Sequence, residues 1–331
     1  MNIKLWLAPL HGISYYYFRN ILFRHTTGFD ATIAPFIPIQ SAEKLNPKKW
    51  KDLLCENNPI MNIIPQLMGN CASDFKDTLL ALSELGYRQF NWNIGCPMKQ
   101  ITRKKRGCGI MPHPDMVEEV IAGSSDLGFK LSVKMRLGME NVNEGIEIVK
   151  RLNRYPLDFI VLHPRFGVQQ YEGNVHLEAA KELIALTKHS IIYSGDIVDV
   201  MSFKTVASQF PEINQFMLGR GILKNPFLAE EIKGIKKDEE KDFHRFATYY
   251  NELSSALISL KGKYALGNLK ELWHYFSCYL SLDEKKLRNL LRIEQLEHFM
   301  EETELVVFYS LFFRLSPNNS ALPNLFRHSG F

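Results

Sequence analysis

Short apolar runs alternate along the first two thirds of the chain with stretches whose apolar residues recur at helical spacing. The runs IKLWLAPL, DATIAPFIP, NIIPQLMG, QFNWNIG, KLSVKMRLG, DFIVLHPR, SIIYSGDI and QFMLGRG read as strands, and SDFKDTLLALSELG or NEGIEIVKRLNR as helices between them. Eight strand–helix units predict an α/β fold of the TIM (β/α)8 barrel type. A doubly wound open sheet usually has fewer strands, and no GxGxxG follows the first one here. The pattern changes after NPFLAEEIKGI. The charged KKDEEKD opens a section, from about Phe243 to Leu315, that is helical in period throughout, as in FATYYNELSSALISL. The predicted organisation is therefore a barrel over residues 1–236 and a C-terminal helical-bundle domain over 237–331, ending in a loosely ordered tail, SPNNSALPNLFRHSGF. There is no repeat beyond the strand–helix alternation.

Composition changes this picture little. The chain has 331 residues, 46% of them hydrophobic, enough to bury a large core. No apolar run approaches the roughly 18–20 residues of a membrane helix, and no signal peptide opens the chain, so a cytoplasmic protein is expected. The five cysteines, Cys55, Cys71, Cys96, Cys108 and Cys278, are scattered without CxxC spacing, which argues against both disulfides and a zinc site. Cys55, Cys71 and Cys278 are expected to be buried apolar fillers. A net charge of +4 permits a polyanionic partner without demanding one.

Barrel chemistry sits where strands end, so polar residues at those ends carry the most information. They are Pro9-Leu10-His11-Gly12, Gln66, Asn93 and Cys96, Lys134 and Arg136, His163 and Arg165, Ser194-Gly195-Asp196, and Gly219-Arg220-Gly221. The last two groups follow strands seven and eight, the usual phosphate position of such barrels, where glycines expose backbone N–H groups. Lys134 lies inside the otherwise apolar SVKMRLG, where a buried ammonium is costly. It is expected to face a ligand; the alternative is an internal carboxylate. His163 and Gln66 could equally be structural, and it is their convergence on one rim that favours function.

These same segments carry a resemblance. LAPLHGISYYYFR, PQLMGN, FNWNIGCPMKQ with the later RGCG, VKMRLGM, LHPRFGVQQYEG, YSGDI and MLGRGILKNP follow, in order and spacing, the motifs of the flavin-dependent tRNA-dihydrouridine synthases, over roughly residues 5–235. The NxGCP and HxRxxxQxYxG patterns are specific to that family. The helical remainder resembles the family's RNA-binding domain only loosely, around KELWHYF. The resemblance implies FMN at the barrel mouth, NADPH as reductant, and hydride transfer to the 5,6 double bond of a uridine in RNA. It makes Cys96 the proton donor, and a thiol that is mostly protonated at neutral pH suits that work.

By the same resemblance Gln66, Lys134 and His163 would meet the flavin ring or ribityl chain. Pro9, Leu10, Ser194 and Asp196 would line its site, and Gly195, Gly219 and Arg220 would take the phosphate. Asn93, Arg136 and Arg165 would contact the uracil, and Lys99 the RNA or the Cys96 loop. Arg103, Lys104, Lys105 and Arg106 lie on that loop, so acid and backbone clamp would close together on an extruded uridine. The plain alternative is a solvated turn. Lys270, with Lys261, Lys263, Lys285, Lys286, Arg288 and Arg292, could extend a basic track in the helical domain, with Trp273 and Tyr275 either stacking surfaces or core. The expected partner is tRNA, or else ribosomal RNA, bound by a monomer with no metal and no membrane. Family members commonly place an aspartate where Tyr15 stands, an acidic residue at Pro35 and an asparagine at Ser194. Two other classes fit the residues: a flavin barrel acting on a small molecule, for which the helical domain is superfluous, and a non-catalytic RNA-binding relative.

Overall fold

The computed structural model describes residues 3–315; the expected loose tail lies outside them. Its strands are β1 (Lys4–Leu7), β2 (Ala31–Ile33), β3 (Ile37–Pro38), β4 (Ile63–Ile64), β5 (Gln66–Met68), β6 (Gln89–Ile94), β7 (Lys130–Gly138), β8 (Leu157–Phe166), β9 (Ser190–Ser194) and β10 (Gln215–Leu218). Every paired strand is parallel to its neighbour. The sheet order is β3-β5-β6-β7-β8-β9-β10-β1-β2-β4. Since β2 and β3 are one predicted strand broken near Pro35, and β4 and β5 another broken at Pro65, both pieces of one pair with both pieces of the other and the sheet closes into an eight-stranded barrel. The barrel expected from the eight runs is the one found.

The helices between the strands are α1 (Tyr16–His25), α2 (Ala72–Glu84), α3 (Lys99–Thr102), α4 (Pro114–Ser125), α5 (Val142–Leu152), α6 (Leu177–Leu186) and α7 (Val200–Gln209). α5 shows why the sequence folds this way locally. The Asn141 side chain caps its start, Glu144 lies in its first turn, and Lys150 and Arg151 lie in its last, each matched to the helix dipole. Ile148, Val149 and Leu152 make its buried face. A Cβ at Gly145 would lie 2.0 Å from the Leu137 carbonyl oxygen, so glycine is what lets α5 press against β7.

Alternation at period two sorts the barrel strands into an outward face under the helices and an inward face. Phe90, Trp92 and Ile94 of β6 and Val133, Met135 and Leu137 of β7 point outward and are buried. The inward face has two unlike halves. On β8, β9, β10, β1, β2 and β4 it is apolar: Phe159, Val161, Ile192, Met217, Trp6, Ala8, Ile33 and Ile64 form one cluster. Trp6 and Phe159, on strands that are not neighbours, meet at 5.1 Å between ring centroids. On β5, β6 and β7 it is polar: Gln66, Asn91, Asn93, Ser132, Lys134 and Arg136.

The described chain divides into two compact units, one of residues up to 20 and 28–219, the other of 21–27 and 220 onward. The second contains α8 (Arg220–Lys224), α9 (Leu228–Ile232), α10 (Glu239–Lys261), α11 (Ala265–Tyr279), α12 (Glu284–Arg292) and α13 (Leu296–Leu315). One face of α10, Phe243, Phe246, Tyr249, Tyr250, Leu253 and Leu257, is buried, as are Trp273 and Phe276 of α11. Trp273 is therefore core and no stacking surface: its ring stands edge-on to Tyr250 and its indole N–H donates to the Tyr250 hydroxyl at 3.3 Å. Tyr275 is half-buried. Arg245 knits this unit together through Glu230, Asp242 and the His25 carbonyl. No helix among the described residues is long and apolar enough to cross a membrane.

Candidate active site at the barrel mouth

All strands run parallel, so their C-terminal ends share one rim, and the predicted residues of β5 to β9 come together there. Asn93 is the hinge of the arrangement. Its Oδ1 accepts from the backbone N–H groups of Gly95 (3.0 Å) and Cys96 (2.9 Å), while its Nδ2 donates to Gln66 Oε1 at 2.9 Å. Gln66 is fully buried, and its Nε2 donates to Asn91 Oδ1 at 2.7 Å. Gln66 thus stands behind Asn93, with one hydrogen of its NH2 and one lone pair of its oxygen engaged and the others uncommitted.

The carbonyl of Cys96 accepts from the Cys108 N–H at 3.0 Å. That return of the chain depends on Gly107, which has a φ of 56° and whose added Cβ would lie 2.4 Å from the Cys96 oxygen. The backbone of Cys96 is consequently held from both sides. Its thiol is half-buried and is pushed above the ordinary value, chiefly by burial; the Met98 N–H and the charges of Lys134 and Arg136 pull the other way. Cys108 is fully buried beside Met139, and burial drives its thiol up to about 12, which leaves it inert. Cys55, Cys71 and Cys278 are exposed, contrary to the expectation of buried fillers; the flanking pattern of short loops and helix ends puts them on the surface.

Lys134 pairs across the sheet with Asn93. Among the described residues its ammonium has no hydrogen bond and no ion pair, and the internal carboxylate that would make it structural is absent. Burial, with the Arg136 charge second, lowers it to about 8, and the Cys96 thiol partly offsets that. Arg136 is buried; its guanidinium donates to the carbonyl oxygens of Phe166 (2.8 Å) and Gln170 and lies 5.4 Å from the Tyr171 ring centroid. It braces the loop after β8. Arg165 makes a two-pronged pair with Asp196 at 2.7 and 2.8 Å, and donates to the Gly173 carbonyl. Its Nη1 lies 3.2 Å from His163 Nε2; a guanidinium can only donate, so this nitrogen accepts. Arg165 and Asp196, expected in separate roles, form one unit.

Pro9 and Leu10 are half-buried at the end of β1, and Ser194 is buried at the end of β9. Gly219 follows β10, and Arg220, exposed, begins α8. On the Cys96 loop, Lys99 opens α3, and Arg103, Lys104 and Lys105 are exposed on the turn after it. Arg106 is different: it is half-buried and its Nε lies 3.5 Å from Asn70 Oδ1, while Asn70 Nδ2 donates to the Lys104 carbonyl. Lys270 is half-buried on α11, away in the other unit's sequence. Sequence reasoning missed Asn91, Ser132, Gly107 and Asn70. The first two could have been found, since they alternate with Asn93 and Lys134 on the same strand faces.

Comparison with known proteins agrees with this geometry. The family model for dihydrouridine synthase matches residues 6–306. A probable tRNA-dihydrouridine synthase of Staphylococcus aureus (strain COL) is 24% identical, covering 91% of this chain and 89% of that one. A tRNA-dihydrouridine(16) synthase of Cupriavidus necator is 23% identical, over 88% of this chain and 95% of its own. Among solved structures, morphinone reductase shares the fold at 10% identity with a TM-score of 0.52, over 72% of this chain and 88% of the other.

Proposed function

The chain belongs to the dihydrouridine synthase family, and from that membership we propose that it is an FMN-dependent enzyme that reduces a uridine of tRNA to dihydrouridine with NADPH as reductant and Cys96 as proton donor. The observation that carries this reading is the pair formed by Lys134 and Cys96: an ammonium with no carboxylate beside it and a protonated thiol, on adjacent strand ends of one rim. The residues fit a flavin. A cation drawn out of water without an anionic partner is stabilised by a ligand whose ring edge carries carbonyl oxygens or negative charge; the half-buried Lys134 ammonium, with no hydrogen bond or ion pair among the described residues, is in that condition, whereas Arg136 gives its Nη groups to carbonyl oxygens.

When bound, FMN would supply a hydride to the 5,6 double bond of the uracil. Lys134 and His163 would hold the ring, and Gly195 and Gly219 the phosphate. Asn93 fixes the Cys96 backbone, and its second Nδ2 hydrogen is available to a uracil carbonyl. Cys96 Sγ, kept protonated by burial, gives its proton to the carbon that has not received hydride. Arg165, locked to Asp196, and Arg136, locked to the loop after β8, shape the pocket through the backbone they hold. Arg103, Lys104 and Lys105 meet phosphates around the extruded nucleotide. Tyr264 and Lys263, exposed at the turn after α10, and Lys270 on α11 offer the helical unit's contribution to RNA binding.

The test is direct. Purified protein should be yellow, with non-covalent FMN, and should form dihydrouridine in unmodified bulk tRNA when given NADPH. Colourless protein that takes up no FMN, or coloured protein that reduces a small enone but no tRNA, overturns the reading; the second result would favour a small-molecule flavin barrel.

A further inference from the structure

We propose that Ser132 and Asn91, deep in the polar half of the barrel, are positioning residues for Cys96. This inference rests on the reading of Cys96 as proton donor. A single chain of hydrogen bonds links them. Ser132 Oγ donates to the Phe90 carbonyl at 2.9 Å; Asn91 Nδ2 donates to Ser132 Oγ at 2.9 Å; Gln66 Nε2 donates to Asn91 Oδ1, and Asn93 Nδ2 to Gln66 Oε1. The chain ends where Asn93 Oδ1 accepts from the N–H groups of Gly95 and Cys96.

The direction of every link is fixed from both ends. At the mouth, two backbone N–H groups admit only an oxygen from Asn93, which turns its NH2 toward Gln66 and forces Gln66 to present its oxygen. At the base, the Phe90 carbonyl takes the serine proton, so Ser132 offers a lone pair and Asn91 must offer NH2. Flipping Gln66 or Asn93 sets donor against donor and oxygen against oxygen, and flipping Asn91 sets its NH2 against that of Gln66 and draws the Ser132 proton away from the Phe90 carbonyl. Ser132, Asn91 and Gln66 are essentially inaccessible, so no water repairs a broken link.

Packing does not require this polarity, since the facing half of the same interior is filled by aliphatic and aromatic side chains. A buried amide chain is justified where it specifies one orientation, and here it ends on the backbone N–H groups of Gly95 and Cys96. Removing the Ser132 hydroxyl leaves the Asn91 NH2 buried with no acceptor and the chain anchored at the mouth alone. Asn91 then shifts to satisfy that NH2, the Gln66 amide follows it, and Asn93 holds the Cys96 loop less firmly.

The experiment compares Ser132→Ala with Ser132→Thr in the FMN-loaded protein, per bound flavin, by stopped flow. Oxidation of the reduced flavin by unmodified bulk tRNA should slow about tenfold in Ser132→Ala, the scale set by slight misplacement of a reacting group, while reduction by NADPH stays within about twofold. Ser132→Thr, which keeps the hydroxyl, should restore the rate. A second readout needs no flavin: peptide-resolved alkylation of Cys96 should quicken several-fold in Ser132→Ala, with exposed Cys55, Cys71 and Cys278 as internal controls. Should Ser132→Ala fold poorly, Asn91→Leu serves: it keeps the branched shape but removes the acceptor that holds Gln66 Nε2, so oxidation by tRNA should slow and Cys96 alkylation quicken as in Ser132→Ala, and unchanged values for both overturn the inference. Unchanged oxidation and alkylation in Ser132→Ala, or Thr no better than Ala, overturns the inference. If tRNA fails to oxidise the wild-type flavin, the parent reading fails instead, and the alkylation rates still decide this one.

Discussion

The two halves of the barrel interior solve the same problem by different means. On the side of β8, β9, β10, β1 and β2, Trp6, Phe159, Val161, Ile192 and Met217 fill space, and any arrangement of similar volume would bury comparable area. On the side of β5, β6 and β7, each buried polar atom of Gln66, Asn91, Asn93 and Ser132 has an assigned partner. Two cationic groups break the pattern: the half-buried Lys134 ammonium makes no hydrogen bond or ion pair among the described residues, and the buried Arg136 Nε has no partner. A satisfied network tells little about ligands, and an apolar cluster tells less; cationic N–H groups left unpaired beside completed amides mark where something else binds.

The largest expected effect lies in the apolar half. Phe159→Ala should cost about 3–5 kcal/mol, from lost burial and the cavity left against Trp6. Its rates per folded, flavin-loaded molecule should stay near wild type, because Phe159 is four residues below His163, roughly 13 Å along the strand. A proportionate loss of rate per folded molecule would show that the two halves are mechanically one. Chemical denaturation beside stopped-flow kinetics separates these outcomes.

Lys134→Met should act with the opposite sign on stability, raising that of the flavin-free protein at neutral pH, since it removes a charge that desolvation disfavours and no carboxylate compensates. It should also lower FMN occupancy. The pH dependence has a definite direction. Folding lowers the Lys134 value from 10.5 to about 8, so between those values the unfolded chain holds a proton that the folded one has released. Stability of the flavin-free wild type relative to Lys134→Met should therefore rise as pH climbs from about 8 toward 10.5, and be flat below about 7. Thermal melts of both proteins across that range measure it. Flavin binding as tight in Lys134→Met as in wild type would make the lysine structural.

The smallest effect on stability belongs to the exposed cations. Replacing Arg103, Lys104 and Lys105 by Gln should change unfolding free energy by no more than about 0.5 kcal/mol. RNA affinity should lose about one unit of salt slope for each phosphate contact removed. Arg106 is best left out of that variant, since its guanidinium is tied to Asn70. An unchanged slope would reduce the turn to a solvated one.

Much of this was legible in the sequence, and the limits were physical. The run KLSVKMRLG is β7 to the residue, and its alternation already separates Ser132, Lys134 and Arg136 from Val133, Met135 and Leu137. What alternation cannot give is which strand faces which partner: Gln66 meets Asn91 and Asn93 only through the parallel register of β5 beside β6. For the same reason the sequence does not show that the carbonyls of Phe166, Gln170 and Gly173 and the Asp196 carboxylate engage Arg136 and Arg165. Trp273 sits at helical spacing with core residues, and spacing alone does not say which stripe of a helix is covered. Gly107 was visible as a glycine but not as the residue that lets Cys108 hold the Cys96 carbonyl.

The central claim is that Cys96 donates a proton in the second half of the reaction and does nothing in the first. Single-turnover kinetics of Cys96→Ala test it most directly, with each half followed through the flavin absorbance. FMN binding and reduction by NADPH should stay near wild-type rates, and oxidation by unmodified bulk tRNA should slow roughly 10²- to 10⁴-fold, the contribution of a positioned general acid. Cys108→Ala, which removes only a buried, inert thiol, should leave both halves within a few fold. Oxidation by tRNA at an undiminished rate in Cys96→Ala, or equal slowing of both halves, would contradict it.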